Sequence, residues 1–243
     1  IDIVIPCAGV GSRLGNLTKD KTKNLLEING KTILDYQIRY FLKYKKKINK
    51  IHFILGHKSK FLKTYILKKK YPFKLNFYIN KNYKNSSCAS SIILTLKNLK
   101  HSTLFINSDL ILSKKIVENI FTNKKKNFFF ARKPKNNYKS RKIKALSKNG
   151  KIIKIDLIKS NYNLDVVGPF KLENSSIMFL KQYIKKINKE LIAKMTCYVF
   201  LGNLTKKTKF EFEYINDNDW NEVNTLTEYK AIQKKLTFNK LSK

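Results

Sequence analysis

Short apolar runs alternate with segments of helical spacing through the first half of the chain. Residues 3–6 form a β-branched run stopped by Pro6, and residues 51–56, 75–80 and 103–107 read as three further buried strands. Between them, residues 33–44 place Ile33, Leu34, Ile38, Phe41 and Leu42 near helical spacing, and residues 61–67 form a second helical stretch. Leu94, Leu96 and Leu99 belong to a third helix, with Ser86 or Ser87 as its N-cap.

Beyond the apolar run 128–131 the texture changes. Residues 142–146 and 152–158 flank Asn149-Gly150, the strongest short hairpin signal, and read as an antiparallel pair. A strand at 166–170, a helix at 175–187, an alternating strand at 210–215 and a last helix at 225–236 come next, with a frayed basic end at 239–243. Strands alternating with helices imply parallel pairing through right-handed crossovers. The expected class is α/β: a doubly wound, mostly parallel, Rossmann-like sheet with a small antiparallel β extension. We expect one domain over residues 1–243, with halves at 1–112 and 113–243.

Composition changes this picture little. At 42% hydrophobic and 12% aromatic residues in 243, the chain carries enough apolar surface for a core, which excludes disorder. The net charge of +36 invites a polyanion partner. Yet the excess is nearly all Lys, spread over turns and helix ends such as Lys45–Lys47, Lys68–Lys70 and Lys124–Lys126 rather than in one stripe. We read it as surface charge without a specific nucleic-acid site. Cys7, Cys88 and Cys197 lie far apart, and His52, His57 and His101 form no pair, so neither disulfide nor zinc spacing is present. The thiols read as reduced, and with no leader or membrane span expected, the location read from the sequence is cytoplasmic.

Candidate chemistry centres on the turn after the first run. Ala8-Gly9-x-Gly11-x-Arg13-Leu14 is followed by Thr18, Lys23 and Gly30-Lys31. Glycines after a strand expose backbone N–H groups that can cradle an anion. The pattern lacks the Gly-Lys-Ser/Thr of a P-loop and the third glycine of a dinucleotide fingerprint. Asp109 falls at the end of the fourth strand, where ligands bind in such sheets.

This order of residues resembles the nucleotidyltransferase superfamily, which joins a nucleoside triphosphate to a phosphorylated sugar or alcohol. Within it the chain is most similar to the phosphocholine cytidylyltransferase type of bacterial surface-polysaccharide pathways. The resemblance implies that Lys23 and Arg13 are catalytic, Lys23 at the α-phosphate and Arg13 at the β- and γ-phosphates. It implies that Ala8 and Gly9 read the base, that Gly11 and Ser12 bring N–H donors to the phosphates, and that Ser87 and Ser91 face a pyrimidine. It implies Mg²⁺ as cofactor, held by Asp109 and by the triplet Glu222-Val223-Asn224, where Asn224 replaces the family's Asp and Glu222 is the fallback. The strand at 166–170 resembles the one that walls the acceptor pocket, with Arg132, Phe170 and Lys171 as acceptor contacts. CTP is the favoured nucleotide and a small phosphate or phosphonate, other than phosphocholine, the expected acceptor, for capsule or lipopolysaccharide decoration. The alternatives are a sugar-1-phosphate uridylyl- or thymidylyltransferase, a basic nucleic-acid-binding protein, and an inactive nucleotide-binding homologue. For Asp109, Asn224, Ser87 and Ser91 the competing role is helix capping.

Overall fold

Ile3, Ile5 and Cys7 point to one side of the first strand and Val4 to the other, and all four are buried, so helices must cover both faces. In the computed structural model, which describes residues 1–134, 143–157 and 160–241, that is the arrangement. The first half runs β1 (Asp2–Cys7), β2 (Glu27–Ile28), β3 (Lys31–Thr32), α1 (Ile33–Ile38), β4 (Lys50–Leu55), α2 (Ser59–Lys68), β5 (Leu75–Ile79), α3 (Cys88–Leu96), β6 (Thr103–Phe105) and β7 (Leu110–Leu112). The second half runs α4 (Lys114–Thr122), β8 (Phe128–Arg132), β9 (Lys144–Lys148), β10 (Lys151–Asp156), β11 (Leu164–Leu172), α5 (Asn174–Lys186), α6 (Lys189–Lys194), α7 (Cys197–Gly202), β12 (Glu211–Tyr214), β13 (Trp220–Glu222) and α8 (Leu226–Leu241).

The main sheet has the order β10-β9-β11-β6-β1-β4-β5, with β8 pairing β11 and β12. Strands β6, β1, β4 and β5 are parallel, and β11 enters antiparallel beside β6. One face packs on α1, α2 and α4 through Leu34, Ile38, Leu62, Ile66, Ile116 and Ile120. The other packs on α3, α5, α6 and α7 through Ile92, Leu96, Ile177, Leu180, Ile192 and Phe200. This is the expected doubly wound sheet. Its antiparallel extension is the β9–β10 hairpin, whose Asn149 and Gly150 have φ of 50° and 71°, the left-handed pair that a tight two-residue turn requires. The outer ends of the expected hairpin, Lys142 and Ile158, lie outside the described residues.

Several elements differ from expectation. The helix expected over 33–44 stops after Ile38, and a separate 3-10 turn, Phe41–Lys47, comes after it, kinked at Tyr44. Helix α4 is additional to the expected elements, although Ile116, Val117, Ile120 and Phe121 form a plain apolar face behind the Ser113 cap. Helix α8 runs to Leu241, past the fraying expected from Asn239; Ser242 and Lys243 lie outside the described residues. No helix among the described residues is long and apolar enough to cross a membrane. A third, smaller core ties the two ends of the chain together. Its residues Leu14, Leu26, Ile28, Ile33, Tyr36, Ile111, Val223 and Ile232 join the glycine loop to the C-terminal segment.

Candidate active site

β1 ends at Cys7, and the chain turns back on itself through Gly11, whose φ is 76°. A Cβ there would come within 3.1 Å of the Thr18 methyl and 3.4 Å of Lys23 Cβ, so glycine is required on both backbone and steric grounds. The Thr18 hydroxyl lies 3.1 Å from the Gly11 carbonyl and 3.2 Å from that of Gly15, which ties the loop down from inside. Gly56 supports it from the next strand: a Cβ there would sit 2.6 Å from the Ala8 carbonyl. Among the described residues, the backbone N–H groups of Gly9, Val10 and Gly11 meet no protein acceptor. Free donors of this kind, beyond the carboxyl end of a parallel strand, form an anion site.

Four polar side chains converge beside that loop. Lys23 Nζ donates to Asp109 Oδ2 at 2.7 Å and to Asn224 Oδ1 at 3.3 Å, and Arg13 Nη2 donates to the same Asn224 oxygen at 3.0 Å. A guanidinium and an ammonium against one carboxylate leave the spot positive, as an anionic ligand needs. Asp109 Oδ1 is buried and has no hydrogen-bond partner, an arrangement that is costly unless a ligand fills it. The nearby Cys7 thiol is fully buried, and burial and then the Asp109 charge push its pKa up.

Side chains unnoticed in the sequence hold these groups in place. Asn24, buried, donates to the Ser108 carbonyl at 3.0 Å and so docks the lysine loop on the aspartate strand. Gln37 on α1 donates to the carbonyls of Asn107 at 2.7 Å and Leu110 at 2.8 Å, bracketing Asp109. Asn224 arrives because β13 pairs with β7 and the Val223 N–H donates to the Asp109 carbonyl at 3.1 Å. Glu228 Oε2 then accepts from the N–H groups of Asn224 at 2.8 Å and Thr225 at 2.9 Å, while Thr225 Oγ1 accepts from Glu228 N–H. Thr225-x-x-Glu228 is a capping box, and its pattern is readable in the sequence.

The cleft between loop and helix α3 has a volume of about 320 Å³, within the range of small-molecule sites. Ala8, Gly9, Gly11, Ser12, Arg13, Lys23, Ser87, Ser91, Asp109 and Asn224 all line it, as do Tyr83, Ser86 and Asn107. Ser87 is nonetheless a structural residue: it caps α3 by accepting from Ser90 N–H, and its hydroxyl donates to the Ile192 carbonyl at 2.9 Å. Its proton is thus committed to the protein, while Ser86, one residue earlier, lines the cleft beside it.

Four expected residues are not brought into the cleft. Phe170 is fully buried, stacked on Phe129 and Tyr198 with ring centroids at 5.0 and 5.1 Å, because β11 turns it into the core. Lys171 pairs in register with Leu104, in the middle of β6, and donates to the Ile120 carbonyl at 2.9 Å; burial, then Lys47, lowers its pKa. Arg132 donates to Asp217 at 2.7 Å and Asp165 at 3.4 Å and lies over the Trp220 ring. Glu222 stands opposite Leu110 in the β13–β7 ladder.

The family described as Nucleotidyl transferase matches residues 3–155. A choline-phosphate cytidylyltransferase of Haemophilus influenzae is 24% identical over 243 residues, 99% of each chain. A CTP:phosphoglutamine cytidylyltransferase of Campylobacter jejuni is 29% identical over 132 residues, 52% of this chain and 50% of its own. Among solved structures, the CTP:phosphocholine cytidylyltransferase of Streptococcus pneumoniae superposes with a TM-score of 0.74 at 21% identity, covering 97% of this chain and 98% of that one, a likeness of fold.

Proposed function

The chain belongs to the nucleotidyl transferase family and is an enzyme of that family, and we propose that it transfers CMP from CTP to a small phosphorylated acceptor with release of pyrophosphate. The observation that carries this reading is the convergence of Arg13, Lys23, Asp109 and Asn224 beside a loop with free N–H donors. In such a transfer an acceptor phosphate oxygen attacks the α-phosphorus in line. One P–O bond forms, the bond to the α,β-bridging oxygen breaks, and its electron pair leaves on pyrophosphate. Every reactant is anionic, so the protein's contribution is alignment and charge neutralisation.

The N–H groups of Gly11 and Ser12 receive phosphate oxygens, with Ala8 and Gly9 towards the base. Exposed Arg13 takes the β- and γ-phosphates and the departing pyrophosphate. Lys23, aimed by its contacts with Asp109 and Asn224, stabilises the charge that grows at the α-phosphate. The free Oδ1 of Asp109 fits a hard cation that needs one or two protein oxygens; Asn224 Oδ1, held by Arg13 and Lys23, would join it once those side chains turn to the phosphates, and Mg²⁺ held there would neutralise phosphate charge.

For the acceptor, a quaternary ammonium calls for rings and carboxylates. Among the described residues that line the cleft, Tyr83 is the one ring and Asp109 the one carboxylate. This favours a phosphate or phosphonate other than phosphocholine, such as a phosphorylated amino acid or amide, which agrees with the Campylobacter relative. The product would be an activated group for surface-glycan decoration, made in the cytoplasm where its triphosphate is. The test is pyrophosphate release with Mg²⁺ and each of CTP, UTP, ATP, GTP and dTTP against a pooled set of acceptors that includes phosphocholine, with Lys23→Ala as control. Release confined to CTP and lost in the variant is expected. Release with UTP or dTTP and a sugar 1-phosphate would replace the cytidylyl reading, and phosphocholine as the best acceptor would overturn the acceptor assignment.

A further inference from the structure

Asn80 sits one residue beyond β5, buried behind the cleft wall, and its side chain has a fixed direction. Its Oδ1 accepts from the backbone N–H of Asn82 at 3.0 Å, and a backbone N–H can only donate. The amide nitrogen must therefore be the other end, and it donates to Ser86 Oγ and to Ser91 Oγ, each at 3.0 Å. An amide NH₂ accepts nothing, so both serine oxygens are acceptors towards Asn80 and both keep their own protons. Among the described residues neither hydroxyl donates to a protein group, and both serines line the cleft. Ser91 is 3% exposed, so its proton has little access to bulk water.

We infer that Asn80 is a positioning residue for base selection: by occupying one lone pair of Ser86 and of Ser91, it makes that wall of the cleft a pair of hydroxyl donors, which fits the adjacent acceptors O2 and N3 of cytosine. This rests on the nucleotidyl-transfer reading and deepens it. Uracil and thymine place a donor, N3–H, between O2 and O4. Against such an edge one buried hydroxyl proton stays unpaired, and a polar mismatch of that kind discriminates strongly. Neither serine alone carries the preference, since a hydroxyl can present either face. With the amide behind them neither proton can go to Asn80, so each hydroxyl keeps its proton for the cleft beside one remaining lone pair.

Asn80→Asp keeps the shape and the bond from Asn82 N–H, but a carboxylate accepts from both serines and turns their lone pairs towards the cleft. The experiment is calorimetric titration of the wild type and Asn80→Asp with CTP and with UTP, each with Mg²⁺, alongside melting curves that establish folding. We expect the wild type to favour CTP and the ratio of CTP to UTP affinity to fall about tenfold or more in Asn80→Asp. Should Asn80→Asp not fold, Ser91→Ala removes one donor and should weaken CTP more than UTP. A folded variant that keeps the wild-type ratio, or a wild type that favours UTP, overturns the inference while leaving nucleotidyl transfer standing. A wild type that binds neither nucleotide overturns both.

Discussion

Asp35 and Asp109 are carboxylates a short way from the same sheet, held in opposite ways. Asp35, in the first turn of α1, has both oxygens engaged: the hydroxyls of Thr32, Tyr65 and Tyr71 lie at 2.9, 2.8 and 3.1 Å, and Lys69 Nζ at 3.0 Å. It also completes a capping box with the Thr32 N–H. Asp109 has one oxygen on Lys23 and the other buried without a partner. The first arrangement stabilises a helix start. The second leaves a strong acceptor waiting in a positive cleft, which is what a site for a metal and an anion requires and what a folding element avoids.

Substitutions should separate the two. Lys23→Ala should lower kcat/KM by about 10²- to 10³-fold or more with little change in melting temperature, since it removes a preorganised cation at the reacting phosphate. Asp109→Asn should cost about 10²-fold in turnover and raise the Mg²⁺ concentration needed for half-maximal rate. Asp35→Asn should do the reverse, keeping turnover while losing about 2 kcal/mol of stability in chemical denaturation, the scale of hydrogen bonds to a charged group. A large loss of turnover in folded Asp35→Asn would end the contrast.

Smaller effects sharpen it. Glu228→Ala removes the acceptor that holds the Asn224 and Thr225 N–H groups, and kcat/KM should fall several-fold with a raised Mg²⁺ requirement. Glu228→Gln, which still offers an oxygen, should restore most of it. An equal loss in both variants would show that the charge at the helix start matters rather than the cap.

The pH dependence of the Asp35 contribution is the smallest effect. Burial alone would raise its pKa, but hydrogen bonds from Tyr65, Lys69 and Thr32 outweigh burial and hold it below the usual carboxylate value. A depressed native pKa stabilises the fold fully above the unfolded value of about 4 and loses that contribution as pH falls through the native one. The stability gap between wild type and Asp35→Asn should therefore be constant near neutrality and shrink below about pH 4. A gap that widened in acid would contradict the assigned hydrogen bonds.

Much of the site was legible because its parts are local in sequence. Gly9, Gly11 and Arg13 lie in one turn, and Asp109 comes four residues after β6, whose apolar run is plain. Asn224 could be named from the triplet around it, and Thr225-x-x-Glu228 could have been. What failed were readings that depend on which way a side chain faces. Ser86 and Ser87 are neighbours, and only the first residue of α3 decides which of them caps the helix. Phe170 closes the strand expected at 166–170 and Lys171 comes next in the longer β11, whose register against β6 sends one into the core and the other away from the cleft.

The amino-acid sequence by itself determined the alternation of strands and helices, the glycine turn after β1 and the identity of the charged groups that flank it, because periodicity, glycine and capping chemistry act over a few residues. Tertiary structure alone decided that Arg13 and Lys23 share the oxygen of Asn224 about two hundred residues away, that Asp109 keeps one oxygen free, and that Asn80 turns two serines into donors. The physical reason is that a hydrogen bond has direction and short reach, and whether a polar atom is satisfied depends on every element packed around it.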